Sequence, residues 1–206
     1  MMSKDNTVGS RKVLSNKQQA ILVGLMLGDG LLELKYRYPR LRIDHSLKQK
    51  EYVDWLYAQF KDFCSEKPHQ LDREDSRNGK IYYHYLFSTK ISSALMKYHK
   101  LFYSAKGKII PKSLIFLLKD ELSLAVWYMD DGFKRSDCNP LYLCTSGFTL
   151  EEQKFLQEIL QKRYGFQTKI HFAGKNSRIY FPVRSAKRFC DLIKPFVLPL
   201  FDYKLL

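Results

Sequence analysis

LVGLMLGDG, residues 22–30, is an apolar run that ends in Asp-Gly, and it returns as LAVWYMDDG at residues 124–132. The two stretches align on their last Asp-Gly, which makes Asp29 and Asp131 equivalent positions about half the chain apart. An acid at a helix C-terminus is disfavoured by the helix dipole, by about 0.3–1 kcal/mol. One Asp-Gly pair is ordinary turn chemistry, but its repetition after two apolar runs predicts that both acids have a function.

The first half reads as a helix, two strands, a helix, a hairpin and a helix. A buried helix is predicted from Lys17 to Gly28, capped by Ser15 or Asn16, because apolar residues occupy most of its sides. Alternating residues 31–46 predict a strand pair that breaks at Tyr38-Pro39. Asn78-Gly79 marks the tip of a long hairpin.

The second half repeats this order of patterns. A turn is predicted at Asn139-Pro140, and another near Gly174. Thr149 followed by Glu152 is the capping-box arrangement at the start of a helix. The fold class is therefore α+β, a pseudo-twofold pair of αββαββα repeats that share one core.

The repeats also predict the domain organisation and the contact at the pseudo-twofold axis. The divisions are a basic tail at 1–16, a first repeat at 17–106, a linker at 107–119 and a second repeat at 120–206. Gly24-x-x-x-Gly28 places small residues one turn apart, which lets two helix backbones approach closely. The facing helix would use Ala125 and its neighbours, so the helices would meet at their C-terminal ends.

Charge and composition limit the kinds of partner. The chain of 206 residues carries 35 Lys and Arg against 21 Asp and Glu, a formal net charge of +14. This balance favours a polyanion, and its spread along the chain suits an extended groove better than a basic arm. No apolar stretch is long enough to cross a bilayer. The four cysteines lack metal-ligand spacing, which fits core packing in an intracellular reducing compartment, an organelle or a bacterial cytoplasm.

Two carboxylates brought together at negative helix ends repel each other unless a cation lies between them, and a hard divalent cation prefers oxygen ligands. The two stretches resemble the paired motifs of the LAGLIDADG homing endonucleases, in the single-chain form with two motifs and closest to the mitochondrial-intron type. The resemblance extends over roughly 17–205 and includes GKIIPKSL and the terminal FDYKLL. Val126 departs from it, because the family has glycine there.

The resemblance implies two saddle-shaped antiparallel sheets that lie in successive major grooves, with a two-helix interface between them. It implies a monomer that acts as a pseudo-dimer and cleaves both strands of a long asymmetric double-stranded DNA site, promoting intron or intein mobility. The expected cofactor is Mg²⁺, with Mn²⁺ as a substitute and Ca²⁺ supporting binding without efficient cleavage. It implies the catalytic residues Asp29, Asp131, Lys108 and Lys204. The candidate metal ligands are Asp29, Asp131, Gly28 and Asp130, and no catalytic role is carried over to Asp130.

Polar side chains on the predicted strands are candidates for reading DNA, because the major groove distinguishes all four base pairs. Leu41 and Ile43 are expected on the opposite face, and Ile81, Tyr83 and Tyr85 are expected to pack. The candidates are Lys35, Arg37, Arg40, Arg42, Asp44, Arg73, Lys80, Tyr82, His84, Lys134, Arg135, Lys169, His171, Lys175, Arg178 and Tyr180.

Two other functions remain open on the same fold: an intron-splicing maturase with host intron RNA as partner, and a DNA-binding module without cleavage. Loss of a catalytic acid would indicate the latter, and both acids are present. An aspartic protease also uses paired Asp-Gly segments, but it places them on strands with Ser or Thr between, and a charge of +14 does not suit it.

Overall fold

The computed structural model describes residues 12–135, 139–174 and 176–206 and divides them into two similar repeats. The first repeat contains α1 (Asn16–Leu27), β1 (Leu31–Lys35), β2 (Tyr38–Ser46), α2 (Lys50–Phe60), β3 (His69–Asp75), β4 (Lys80–Ser88) and α3 (Met96–Phe102). The connection contains β5 (Tyr103–Ser104), β6 (Gly107–Lys108) and α4 (Leu114–Leu117). The second repeat contains α5 (Glu121–Asp131), β7 (Gly132–Lys134), β8 (Leu141–Cys144), α6 (Leu150–Tyr164), β9 (Lys169–Ala173), β10 (Asn176–Phe181) and α7 (Val183–Ile193).

The helices α1 and α5 cross at the centre of the molecule, as the repeated stretches predicted. Ser15 caps α1 in a capping box, and the residues from 20 to 27 are all buried. A β-carbon on Gly24 would lie 2.6 Å from the carbonyl oxygen of Ser123 and 2.7 Å from Cβ of Val126. The hydroxyl of Ser123 donates to the carbonyl of Ala20 at 2.8 Å. Gly24 is therefore required by the close approach of two backbones.

Each repeat contributes one antiparallel four-stranded sheet with the same internal order. The orders are β1-β2-β4-β3 and β7-β8-β10-β9. Leu41 and Ile43 on β2 are buried, while Arg40, Arg42 and Asp44 between them point to the other face. The alternation follows the two-residue period of a half-buried strand. In the first repeat, one face of the sheet therefore packs on the helices and the other carries polar residues.

The turn between β1 and β2 lies two residues earlier than the sequence indicated. The chain turns at Tyr36 and Arg37, where Tyr36 takes the left-handed conformation at a φ of 53°. Pro39 lies inside β2 and pairs with Leu34. The prediction of a break at Tyr38-Pro39 was wrong because Pro39 stands near the start of its strand, where a proline is tolerated.

The hairpin of β3 and β4 extends past its helical cover. Ile81 and Tyr83 were expected to pack, but they are 55% and 50% exposed. Tyr85, nearer the centre of the sheet, packs against the core as expected. Alternation indicates the face of a residue but not the point at which a strand leaves the helices.

The predictions of turns at Asn78-Gly79 and near Gly174 and of a capping box at Thr149 are confirmed. The turn at Asn139-Pro140 stays a prediction, because it adjoins residues outside the described ranges. Gly79 and Gly174 take φ values of 65° and 61° at the hairpin tips. Thr149 and Glu152 form the capping box of α6. None of the described helices is both long and apolar enough to cross a bilayer.

Candidate functional site

The C-terminal ends of α1 and α5 are joined through the side chain of Asp130. Its Oδ2 accepts a hydrogen bond from the backbone N–H of Asp29 at 2.9 Å. Its Oδ1 accepts one from the hydroxyl of Tyr52 at 2.7 Å. A β-carbon on Gly28 would lie 2.4 Å from Oδ2 of Asp130, so only glycine leaves room for this carboxylate. The contact places the acids of both helix ends in one cluster.

The structure groups Asp29 with Asp130 and His45 rather than with Asp131 alone. One ligand atom from each of these three residues lies within 4.8 Å of the others. His45 was not singled out from the sequence, although its alternation with Leu41 and Ile43 places an imidazole on the buried face of β2. A polar side chain on an apolar strand face is the pattern that could have identified it.

Asp131 is close enough to its neighbours for their charges to affect it. Burial, followed by the negative charges of Asp29 and Asp130, raises the pKa of Asp131 to about 8. Burial also raises the pKa of Asp130 to about 6, although Tyr52 and the Asp29 backbone stabilise its charged form. Asp29, Asp130 and Asp131 therefore repel one another when charged, and this repulsion disfavours the state in which all three carboxyls are ionised.

Lys108 and Lys204 bind the ends of the two central helices in the same way. Nζ of Lys108 donates to the carbonyl of Gly28 at 2.6 Å. Nζ of Lys204 donates to the carbonyl of Met129 at 2.7 Å and is buried. Burial lowers the pKa of both amines, and the nearby acids oppose that shift. Two positive charges thus lie at negative helix ends, where the dipole favours them.

The acid cluster has the chemistry of a divalent-cation site. Lys108 and Lys204 lie beside the cluster without a salt bridge to Asp29, Asp130 or Asp131 in the described part of the chain. Lys108 and Lys204 donate to backbone carbonyls instead. A bound divalent cation would offset the mutual repulsion, and carboxylate oxygens are its preferred ligands.

The outer face of the first sheet carries a network centred on Asp44. Its carboxylate accepts hydrogen bonds from Arg42 at 3.0 Å and from Arg73 at 2.5 Å, and contacts His84 at 2.8 Å. Burial disfavours the charged form of Asp44, but these three bonds outweigh it and lower its pKa. The network holds long cationic side chains in fixed positions on this face.

The outer face of the second sheet is aromatic. The ring of His171 stacks on Tyr180, with ring centroids 4.0 Å apart. Arg178 lies over the rings of Phe133 and Tyr142, at 5.4 and 5.5 Å. The two sheets therefore present different chemistry, charged in the first repeat and aromatic in the second.

The other predicted DNA contacts have several environments. Lys35 and Arg40 form salt bridges to Glu33 at 3.2 and 2.7 Å. Nζ of Lys134 donates to the carbonyl of Leu205 and so holds the C-terminus. Lys175 lies outside the described residues, as does Cys138. The remaining candidates are exposed, and they are Arg37, Lys80, Tyr82, Arg135 and Lys169.

The cysteines divide between the core and the surface. Cys190 is buried and Cys64 is half-buried, as expected for core packing. Cys144 is exposed, so the expectation of core packing was wrong for it. It pairs with Arg178 on the outer face of the second sheet, opposite the buried side of β8. Apolar sequence neighbours did not reveal this face.

The structure has two αββαββα repeats, and their crossed helices end in clustered acids beside one buried and one half-buried lysine. These features define the class of two-motif LAGLIDADG proteins. Comparison with known proteins agrees. A "Probable intron-encoded endonuclease 1" of Wickerhamomyces canadensis is 28% identical over 94% of this chain and 85% of its own. A "Cytochrome b mRNA maturase bI2" of Debaryomyces hansenii is 28% identical over 99% and 79%.

A solved structure and a family model complete the comparison. The homing endonuclease I-WcaI, bound to its DNA recognition sequence, matches with a TM-score of 0.88 at 28% identity, covering 95% of this chain and 88% of that one. The model of the LAGLIDADG DNA endonuclease family matches residues 19–189. The chain belongs to this family.

The raised pKa of Asp131 predicts how stability depends on pH. A carboxyl whose pKa is about 8 in the folded chain and about 4 in the unfolded chain binds its proton more tightly when folded. In the presence of a chelator, the free energy of unfolding should therefore fall as pH rises through that interval. Thermal unfolding between about pH 5 and 8 measures this, and Asp131→Asn should flatten the curve. A wild-type slope that the variant retains in full would contradict the assignment.

Proposed function

We propose that this chain is a site-specific homing endonuclease that cleaves both strands of one long asymmetric DNA duplex with the help of Mg²⁺. The proposal includes the mobility of the intron or intein that encodes it. The observation that carries it is the cluster of Asp29, Asp130 and Asp131 where the two central helices end, between the two sheets. Family membership supports the same reaction.

Asp29 and Asp131 are proposed as the metal-holding catalytic carboxylates, with Asp130 and the Gly28 carbonyl as further ligand candidates. A bound divalent cation would supply an activated water and neutralise charge on the scissile phosphate. The Gly28 carbonyl accepts from Lys108 at 2.6 Å, so the lysine also fixes the orientation of that oxygen.

Lys108 and Lys204 are proposed as the cations that stabilise negative charge on the reacting phosphates. Each is already held in place by a helix carbonyl, so no reorganisation is needed when charge develops. A preorganised donor of this kind contributes about 2–4 kcal/mol to the reaction. Their lowered pKa comes from burial, and the acids beside them favour the charged form.

The two outer sheet faces are proposed to contact successive major grooves. The Asp44 network offers Arg42 and Arg73 as donors, and guanidinium groups read guanine by two hydrogen bonds. The second face offers Arg178, His171 and Tyr180. Two chemically different faces suit an asymmetric site better than a palindrome.

A selection from a randomised duplex library tests this proposal. With Mg²⁺, we expect one long site to be cut in both strands at a fixed stagger; with Ca²⁺, the same site should be bound with little cutting. Affinity should fall with salt, with a log–log slope of about −0.9 for each phosphate neutralised. Binding of a consensus site without cleavage in Mg²⁺ or Mn²⁺ would reject the nuclease and leave a DNA-binding module.

A second candidate function, intron-RNA maturase, is favoured by the relatives that are named as maturases, among them that of Debaryomyces hansenii. The same library format with transcribed intron RNA would test it. Retention of folded intron RNA by the Asp29→Asn variant would support a splicing role alongside cleavage. Equal affinity for unrelated RNA of the same length would reject it.

A further inference from the structure

The two repeats differ at one buried position beside the acid cluster. His45, in the sequence IDHS, occupies the place of Thr145, in LCTS, in the second repeat. Thr145 is buried and donates to Oε1 of Gln153 at 3.1 Å, so its polar group is satisfied within its own repeat. His45 has a different environment. This difference makes the two halves of the site chemically unequal.

The imidazole of His45 lies close to the Asp29 carboxylate but forms no hydrogen bond within the part of the chain that the structure describes. The residue as a whole is 6% exposed. Its Nδ1 lies 3.9 Å from Oδ2 of Asp29, beyond hydrogen-bond distance, and neither ring nitrogen bonds to any other residue in the described ranges. The imidazole and the carboxylate thus face each other across a gap in which one cation would contact both.

The spacing of the three side chains suits one cation. Ligand atoms of Asp29, His45 and Asp130 all lie within 4.8 Å of one another. Two ligands each about 2.1 Å from one ion lie up to about 4.2 Å apart, so only small side-chain movements are needed. Each oxygen of Asp130 accepts one hydrogen bond, which leaves further lone pairs for a metal.

Tyr52 holds two of these ligands in position. Its hydroxyl donates to Asp130, and its ring lies 5.3 Å from the ring of His45. The ring of Tyr52 also packs against Phe201, with ring centroids 5.2 Å apart at 90°. Outer groups that orient ligands in this way are typical of metal sites.

We propose that Asp29, His45 and Asp130 form a divalent-cation site in which the His45 imidazole is a nitrogen ligand. The inference rests on the proposed function only in that this cation would serve the cleavage reaction. An imidazole favours transition metals over Mg²⁺, which prefers oxygen. The first half of the site therefore binds Mn²⁺ more tightly than a pair of carboxylates alone would, and the second half, with Thr145, lacks this preference.

Electron spin-echo spectroscopy of Mn²⁺ added to the DNA-free protein tests the assignment, because it detects a directly bound nitrogen. We expect ¹⁴N coupling in the wild type and its replacement by ¹⁵N coupling when the protein is labelled with [¹⁵N]histidine. His45→Gln should abolish the coupling and weaken Mn²⁺ binding about tenfold, with a smaller effect on Mg²⁺. His99→Gln is the matched control. His99 lies in α3 and stacks on Tyr103, so this variant should leave both properties unchanged.

Several outcomes would overturn the inference. They are Mn²⁺ bound to the wild type without nitrogen coupling, coupling that survives His45→Gln in the folded variant, and Asp130→Asn with unchanged Mn²⁺ affinity. If His45→Gln does not fold, the labelled wild type alone decides. Cleavage of the selected duplex in Mg²⁺ separates the two proposals. Cleavage without nitrogen coupling rejects only the His45 ligand, whereas coupling without cleavage rejects only the nuclease.

Discussion

Asp29→Asn and Asp131→Asn should each reduce DNA cleavage by about 10³-fold or more while leaving specific binding nearly unchanged, because each removes charge where the reaction needs a metal-bound oxygen. The amide keeps the shape of the side chain. Single-turnover cleavage of the selected duplex in Mg²⁺, with binding measured in Ca²⁺, gives both quantities. Either variant cutting at close to the wild-type rate would remove that acid from the mechanism.

Asp44→Asn is the control for these variants, because Asp44 is a carboxylate in the same half that contacts Arg42, Arg73 and His84 and lies outside the acid cluster. It should alter binding rather than the cleavage step.

Stability provides a second check. Burial and like charges raise the pKa of Asp131, so metal-free Asp131→Asn should unfold at no lower a temperature than the wild type near pH 8. A destabilised variant would make loss of cleavage uninterpretable.

Gly24→Val should destabilise the protein, because Gly24 lies where the two central helices approach most closely along their length. Its Cβ would lie 2.6 Å from a backbone oxygen and 2.7 Å from Cβ of Val126, neither of which is the end of a flexible side chain. Overpacking a core costs about 1–3 kcal/mol, which exceeds the gain in helix propensity over glycine of less than about 1 kcal/mol. The melting temperature should fall by several degrees, at about 2–4 °C per kcal/mol.

Gly147→Val is the matched control, because nothing lies within 4 Å of a β-carbon built on Gly147. Its melting temperature should stay within about 2 °C of the wild type. Equal shifts for the two variants would mean that the helix crossing is looser than the structure has it. The Gly24 variant should also lose cleavage, because the acids on the two helices would move apart.

The central contact could be predicted from sequence because its determinants are local. Apolar periodicity identified α1, the small residue at position 24 identified its contact face, and the repeat identified α5 as the partner. The prediction that α1 and α5 cross closely was confirmed although Val126 stands where the family has glycine. The missing side chain of Gly24 leaves the room that Val126 occupies. The turn glycines and helix caps could be predicted in the same way, since turns and caps depend on interactions among a few neighbouring residues.

The inner arrangement of the site was not predictable, because it depends on residues far apart in the chain. Tyr52 reaches Asp130 only after α2 has folded against the end of α5. The sequence paired Asp29 with Asp131 through the repeat, and nothing local indicated that Asp130 would reach across to the Asp29 backbone. His45 lacked a recognisable ligand spacing. Its significance depends on three elements meeting, namely β2, α1 and α5.

The connection between the repeats is about a dozen residues long, but its hydrogen bonds pass from the first repeat to the second within two neighbouring residues. Lys108 donates to Gly28, and the N–H of Ile109 donates to the carbonyl of Phe102 at 2.8 Å. The next N–H, that of Ile110, donates to Oε1 of Glu152 at 2.8 Å. The chain therefore stops bonding to the first repeat and starts bonding to the second at the peptide bond between Ile109 and Ile110. Chimaeras that exchange halves between homologues would keep every such bond intact when spliced between Ile109 and Ile110.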